Sequence, residues 1–359
     1  MPGQMQLNAL QQGRGLAAMA VAAFHLSLML ALPRYLGQEL FSNFTRHGNL
    51  GVDFFFVLSG FIIAFAHGRD IGRPDRLRNY LIRRFIRLFP AYWVYVGVFC
   101  ALVAMGFGTA VTLPDTVGHW ISTLLLIRLD SFIFPIAPAW TLVHELAFYL
   151  MFALLIVGRR IGMTVFVLWM LTCLLLRQYP DYDHWTPLTT YFSPLNLNFL
   201  IGMLAFYGWS RCRPALVRIA FPAGVVFLAA ISLLYGEGVD YSQLQIPYGV
   251  AFGMVIAGAA ALESVGQWPS NARLLNLIGN ASYSIYLTHI AFLGLLAKIV
   301  IKLSAHVPLP PELIYVAVLA GAIACGCLLH LLVERPLMEF CRDRLTVKSK
   351  PAVVVPETS

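Results

Sequence analysis

The chain has 359 residues, of which 59% are hydrophobic and only 12% charged, about half the charged share of an ordinary soluble domain. That balance excludes a soluble globular enzyme and points to a protein whose solvent is the bilayer. The net charge of +8 comes from 25 Lys and Arg against 17 Asp and Glu, and the placement of those cations reads as membrane topology rather than nucleic-acid binding.

Apolar runs near the length that crosses about 30 Å of hydrocarbon recur along the chain. They predict spans near 15–33, 50–67, 90–108, 138–157, 162–177, 190–209, 215–235, 245–262, 280–300 and 312–333, ten in all. The expected fold is an all-α polytopic membrane protein. With ten spans both termini lie on one side, and that side carries 19 of the 25 cations, including the cluster from Arg69 to Arg87 and the group from Arg335 to Lys350. The positive-inside rule makes it the cytoplasmic side. No small-residue cleavage site follows the first run, so that run is expected to be retained.

The first run holds His25, with Arg14 at its start. Eleven residues is close to three helical turns, so both side chains share one face, about 16 Å apart along the axis. Ionisable groups at membrane depth are costly and read as functional sites. The plainer reading is a core histidine and a topology arginine. In the second run, Ser59-Gly60 suggests close helix packing or a kink. Asp53 near its outer end is either a contact for a polar acceptor or a membrane-edge residue.

Arg78, Arg83, Arg84 and Arg87 precede Pro90, which is expected near the start of the third helix. Guanidinium forks suit phosphate groups; positive-inside charge is the alternative. The longest connection, about 109–137, includes an apolar stretch from Trp120 to Ile127 that is too short to span and is expected to be interfacial or re-entrant. The fourth run carries Trp140, Thr141, His144, Glu145 and Tyr149. Entering from outside, it sets Glu145 about 10 Å below the outer surface at roughly 1.5 Å per residue. His25 falls about 14 Å below that surface in a 30 Å core. The two are therefore expected to meet, as a base and its orienting or acid partner. A plain ion pair between helices is the alternative for Glu145.

Asp181, Asp183 and His184 in an outer loop read as a solvated loop more than a metal site. The ninth run contains Ser282, Tyr283, Ser284, Tyr286, Thr288 and His289, either a polar channel wall or core hydrogen bonding. Asp53, Ser59, Trp140, Tyr149, Tyr283 and His289 are the candidate contacts for an acceptor. The six cysteines form no CxxC pair and read as packing residues. No P-loop, GxGxxG, GxSxG or HExxH pattern occurs, and no metal is expected. One membrane domain is expected over 1–345, followed by a disordered tail over 346–359.

In order, Arg14…His25, Gly51 to Phe61, Arg83-Arg84…Arg87…Pro90, Trp140-Thr141-Leu142…Glu145…Phe148-Tyr149, Ser282-Tyr283-Ser284…Tyr286-Leu287-Thr288-His289 and Glu334-Arg335-Pro336 resemble the membrane acyltransferase 3 family. The wording around Glu145 is most similar to its exopolysaccharide-production branch. The resemblance implies a ten-helix enzyme in the bacterial inner membrane. Such an enzyme takes an acyl group, usually acetyl, from cytoplasmic acetyl-CoA and delivers it to a hydroxyl of an extracytoplasmic glycan. It also implies that Arg14 and His25 are required for activity, with Glu145 implicated; by their own chemistry Arg78, Arg83, Arg84 and Arg87 are the candidates for holding the donor phosphates. Thr141 and Ala147 depart from common family residues, which touches acceptor choice more than reaction type. A glycan or lipid-linked sugar transporter is the reading from another class; release of free CoA separates the two. Membrane lipids are the surrounding partners, and the sequence carries no signal for oligomeric state.

Overall fold

A computed structural model describes residues 7–107, 113–178, 186–236, 238 and 241–345. The Asp181, Asp183 and His184 group and the expected tail over 346–359 lie outside the described residues. Those residues fold as helices and connections, with no strand among them. The helices are α1 (Asn8–Leu30), α2 (Ser42–Thr45), α3 (Gly51–His67), α4 (Leu77–Ala104), α5 (Val117–Leu125), α6 (Trp140–Val157), α7 (Arg159–Leu175) and α8 (Pro187–Tyr191). They continue with α9 (Leu197–Arg211), α10 (Pro214–Gly236), α11 (Tyr241–Ser264), α12 (Arg273–Asn280), α13 (Ser282–Ser304), α14 (Pro311–Leu329) and α15 (Arg335–Leu345).

Eight described helical stretches are long and apolar enough to cross a membrane. The expected fifth and sixth spans correspond to α7 and α9, which have 17 and 15 residues. Large apolar side chains such as Leu216, Val226 and Leu233 on α10 face outward. That is the expected surface when lipid is the solvent, and the chain is a multi-pass membrane protein.

Two features depart from the sequence reading. Pro90 lies inside α4, which runs for 28 residues from Leu77. The arginine cluster therefore stands on the helix itself, where its faces are fixed, and not in a preceding loop. Proline interrupts one backbone bond of a helix without ending it when neighbours hold the chain. Two residues before Pro90, Leu88 O accepts from the Tyr283 hydroxyl of α13 at 2.5 Å, which ties this part of α4 to the bundle. The second departure is the segment between α5 and α6. Leu126, Arg128, Phe134, Ile136 and Ala139 are all buried, so this connection dips into the protein. Non-helical backbone is tolerated at such depth only where protein covers it. Helix α6 begins at Trp140, directly after this covered segment. The short helix α5 matches the expectation for Trp120 to Ile127, and Tyr92 and Trp93 of α4 donate to its Thr123 and Leu124 carbonyls at 2.7 and 2.8 Å.

Close approach sets the rotation of α3. A methyl group added at Gly60 would strike the Phe199 carbonyl of α9, and one at Gly202 would strike the Val57 carbonyl. Small residues let transmembrane backbones meet in this way. Beside them Phe148 of α6 stacks on Phe199 at 4.3 Å, and Phe56 of α3 does so at 4.8 Å. Gly60→Val should cost about 1–3 kcal/mol through overpacking, seen as a lowered thermal midpoint in detergent. An unchanged midpoint would mean that the α3–α9 contact carries no stability.

The start of α1 is anchored from afar. Both carboxylate oxygens of Glu263 on α11 accept from its first amides, Asn8 N and Ala9 N, each at 2.8 Å. A carboxylate at a helix N-terminus satisfies free N–H groups and complements the dipole. Gln12 adds bonds to Pro269 O at 3.0 Å and Asn276 Oδ1 at 2.9 Å. Arg14, half a turn further on, thus projects from a fixed base.

Candidate active site

A cavity of about 410 Å³ opens among α1, α3, α4, α6 and α13. Arg14 enters it from α1, Ser59 from α3, and Arg83, Arg84 and Arg87 from α4. Thr141, Glu145 and Tyr149 come from α6, and Tyr283 and Tyr286 from α13. Four guanidinium groups therefore face one cavity with a single carboxylate on its wall. Arg83 and Arg87 lie one turn apart on the helix, as the i and i+4 spacing requires.

The arginines differ in how far they are satisfied. Arg87 Nη1 donates to Glu334 Oε1 at 3.1 Å and sits over the Tyr283 ring at 5.2 Å. Arg84 lies over the Tyr149 ring at 5.5 Å, and its Nη2 donates to His67 Nε2 at 3.4 Å. Among the described residues its buried Nε has no hydrogen-bond partner. Buried donors are rarely left open without a purpose. Arg14 reaches Gln11 Oε1 at 3.4 Å, and among the described residues it pairs with no carboxylate. The wall is thus short of negative charge, the arrangement that attracts a polyanion such as a diphosphate.

Glu145 is held by its own helix and by α3. Tyr149 donates to its Oε1 in a short bond, and Ser59 donates to the same atom at 3.3 Å. Among the described residues its Oε2 has no partner. The expected meeting of Glu145 with His25 does not occur; Glu145 faces the cavity that Arg14 lines.

His25 instead meets His289 of α13, with Nδ1 3.3 Å from His289 Nε2 and the rings 5.0 Å apart. The pair adjoins the cavity through Tyr286, whose ring lines it and lies 5.8 Å from the His289 ring. On the other side, Tyr315 of α14 donates to Ala23 O at 2.8 Å, and Ser27 bonds Thr45 Oγ1 at 2.8 Å.

The remaining candidates separate. Arg78 is exposed on α4, away from the cavity wall. Asp53 is 1% exposed, and its oxygens accept from Asn198 Nδ2 at 2.8 Å and Tyr241 OH at 2.7 Å. These bonds tie α3 to α9 and α11. Trp140 packs edge-on against His144 at 5.6 Å and does not line the cavity. Glu334, which the sequence offered only within the motif Glu334-Arg335-Pro336 and with no role in the site, stands beside the cavity arginines. This buried acid lies in a π-helical turn, His330–Glu334, at the end of α14. It binds Arg87, and its Oε2 accepts from Ser284 at 2.6 Å and His330 Nδ1 at 2.9 Å. A lone acid closing an apolar run was the available signal, since such residues are costly unless paired.

The acyltransferase domain of the acyltransferase 3 type matches residues 7–331. The chain belongs to the acyltransferase 3 family. It is similar to the exopolysaccharide production protein ExoZ of Rhizobium meliloti, 29% identical over 306 residues, which covers 83% of this chain and 92% of that protein. It is also similar to acyltransferase MdmB of Streptomyces mycarofaciens, 26% identical over 98% of this chain and 96% of the relative. Peptidoglycan O-acetyltransferase OatA of Listeria monocytogenes is 24% identical over 78% of this chain and 39% of its own length. No solved structure matches. As an acyltransferase 3 enzyme the chain is a membrane O-acyltransferase.

Proposed function

We propose that this acyltransferase 3 enzyme moves an acetyl group from cytoplasmic acetyl-CoA to a hydroxyl of an extracytoplasmic glycan such as exopolysaccharide or O-antigen. In this reading it works in the bacterial inner membrane, with ten passes and both termini in the cytoplasm. The asymmetry of Lys and Arg between alternate connections supports that orientation. The single observation that carries the reading is the gathering of Arg14, Arg83, Arg84 and Arg87 around one cavity. Planar forks of this kind match the diphosphate of CoA two bonds at a time. The similarity to ExoZ supports a secreted polysaccharide as acceptor.

The donor phosphates dock on Arg83 and Arg84 at the rim, and Arg78 attracts them from the exposed part of α4. The pantetheine arm extends along α1 past Glu145, whose free oxygen accepts from an amide N–H of the arm. Arg14 faces the same cavity and binds donor phosphate beside Arg83 and Arg84. His25 is the general base on the acceptor hydroxyl. Asp53 and Trp140 support the acceptor side through packing and helix position, while Ser59, Tyr149 and Tyr283 shape the cavity.

The test uses the purified full chain in detergent with acetyl-CoA and a deacetylated bacterial exopolysaccharide. Free thiol should appear together with new O-acetyl signals on the glycan. Arg83→Gln/Arg84→Gln should raise the donor KM about tenfold or more, since each charge-assisted bond is worth about 1.5–3 kcal/mol, with kcat little changed. Unchanged donor KM would remove the donor site, and glycan movement without thiol release would remove the acetyl transfer.

A further inference from the structure

We infer that His289 is a positioning residue that fixes which nitrogen of His25 is the base and stabilises the imidazolium formed when that base takes a proton. The inference rests on the general-base reading of His25 given above. The hydrogen-bond partners assign the protons. His289 Nδ1 lies 2.6 Å from Tyr286 O. A carbonyl oxygen accepts only, so Nδ1 must carry hydrogen, and in the neutral ring Nε2 is then a lone pair. His25 Nδ1 lies 2.9 Å from Val21 O, which requires hydrogen there as well. That hydrogen is shared between Val21 O and the His289 Nε2 lone pair at 3.3 Å.

The consequence is directional. With Nδ1 committed, Nε2 of His25 is the lone pair available to an acceptor hydroxyl. It removes the hydroxyl proton as that oxygen attacks the thioester carbonyl. The C–S bond breaks, and Nε2–H returns the proton to the leaving thiolate, so a hydroxyl and a thioester become an ester and a free thiol. While the proton resides on His25, the Nδ1–H bond to His289 strengthens. A hydrogen-bonded third group plays this part for histidine bases in general. Here the group is a neutral imidazole, 1% exposed, rather than a carboxylate, so no net charge is buried beside the base.

His289 cannot swing freely. Its ring packs on Tyr286 at 5.8 Å and on His25 at 5.0 Å. The helix that carries it is tied to α4, where the Ser284 hydroxyl and Tyr95 OH lie 2.7 Å apart.

Two amide variants separate positioning from mere packing. In His289→Gln the amide reaches the place of Nε2 and can still offer an acceptor to His25. In His289→Asn it reaches only the place of Nδ1, keeping the bond to Tyr286 O and losing the one to His25. With acetyl-CoA and the deacetylated exopolysaccharide as probes, His289→Gln should retain kcat within a few-fold. His289→Asn and His289→Leu should lose on the order of 10- to 100-fold in kcat, part of the ~10²–10⁴ that a general base supplies, with donor KM unchanged. Equal kcat for His289→Gln and His289→Asn, or full activity of His289→Leu, overturns the inference. The amide pair still decides it if the leucine variant fails to fold. An inactive His25→Ala beside equal amide variants would leave the base reading standing and remove only the role of His289. A fully active His25→Ala would remove both.

Discussion

Alanine at position 25 should leave a protein that inserts, keeps its thermal midpoint within about 1–2 kcal/mol of stability and binds donor, yet transfers acyl groups about 10²–10⁴ times more slowly. His25 is half-buried, so removing its ring opens only modest space. Arg14, Arg83, Arg84 and Arg87 lie in the cavity on the far side of Tyr286, so donor KM should hold. The readout is thiol release from acetyl-CoA with the glycan present, alongside size-exclusion and thermal profiles that certify folding. Full O-acetylation by a folded His25→Ala protein would exclude it as the base. A matching fall in donor affinity would instead assign it to donor binding.

The second large effect should fall on stability. Glu334 is 1% exposed at its side chain and holds Arg87, His330 and Ser284 together. Glu334→Leu strands the Arg87 guanidinium, and breaking a buried pair from one side costs about 3–5 kcal/mol. The thermal midpoint in detergent should drop sharply and donor KM should rise, because Arg87 would turn into the cavity or toward water. Replacing both members, Arg87→Leu with Glu334→Leu, should recover much of the stability, since no charge is left unpaired. It should not recover donor affinity. A single variant as stable as the parent would show that the pair is a solvated contact and not a lock between α4 and the end of α14.

Much of this enzyme was legible in its residues. Run length and cation placement announced a multi-pass membrane protein. Helical periodicity put Arg14 and His25 on one face of α1, and the ordered motifs pointed to the acyltransferase family. Each of those properties is local, or a sum of local ones, so one chain read in order suffices. The motif Ser59-Gly60 also carried its meaning, because a missing side chain inside an apolar helix allows a close crossing wherever the partner is.

What could not be read was which faces oppose one another. Glu145 was matched to His25 by estimated depth, but it faces the arginine cavity. His25 found His289, 264 positions away, and Arg87 found Glu334, 247 positions away. Asp53 found Asn198 and Tyr241, 145 and 188 positions away, one for each of its oxygens. Pro90 reads in the sequence as a helix start, whereas it lies inside α4, a 28-residue helix that begins at Leu77. Within one helix 3.6 residues per turn decide orientation. Between helices, rotation and depth are set by close contacts such as Gly60 against Phe199 and by bonds spanning hundreds of residues. The arginine face of α4 and the His25 face of α1 were therefore visible in the sequence, whereas the cavity that joins the first to Glu145, and the imidazole that completes the second, exist only once the helices have packed.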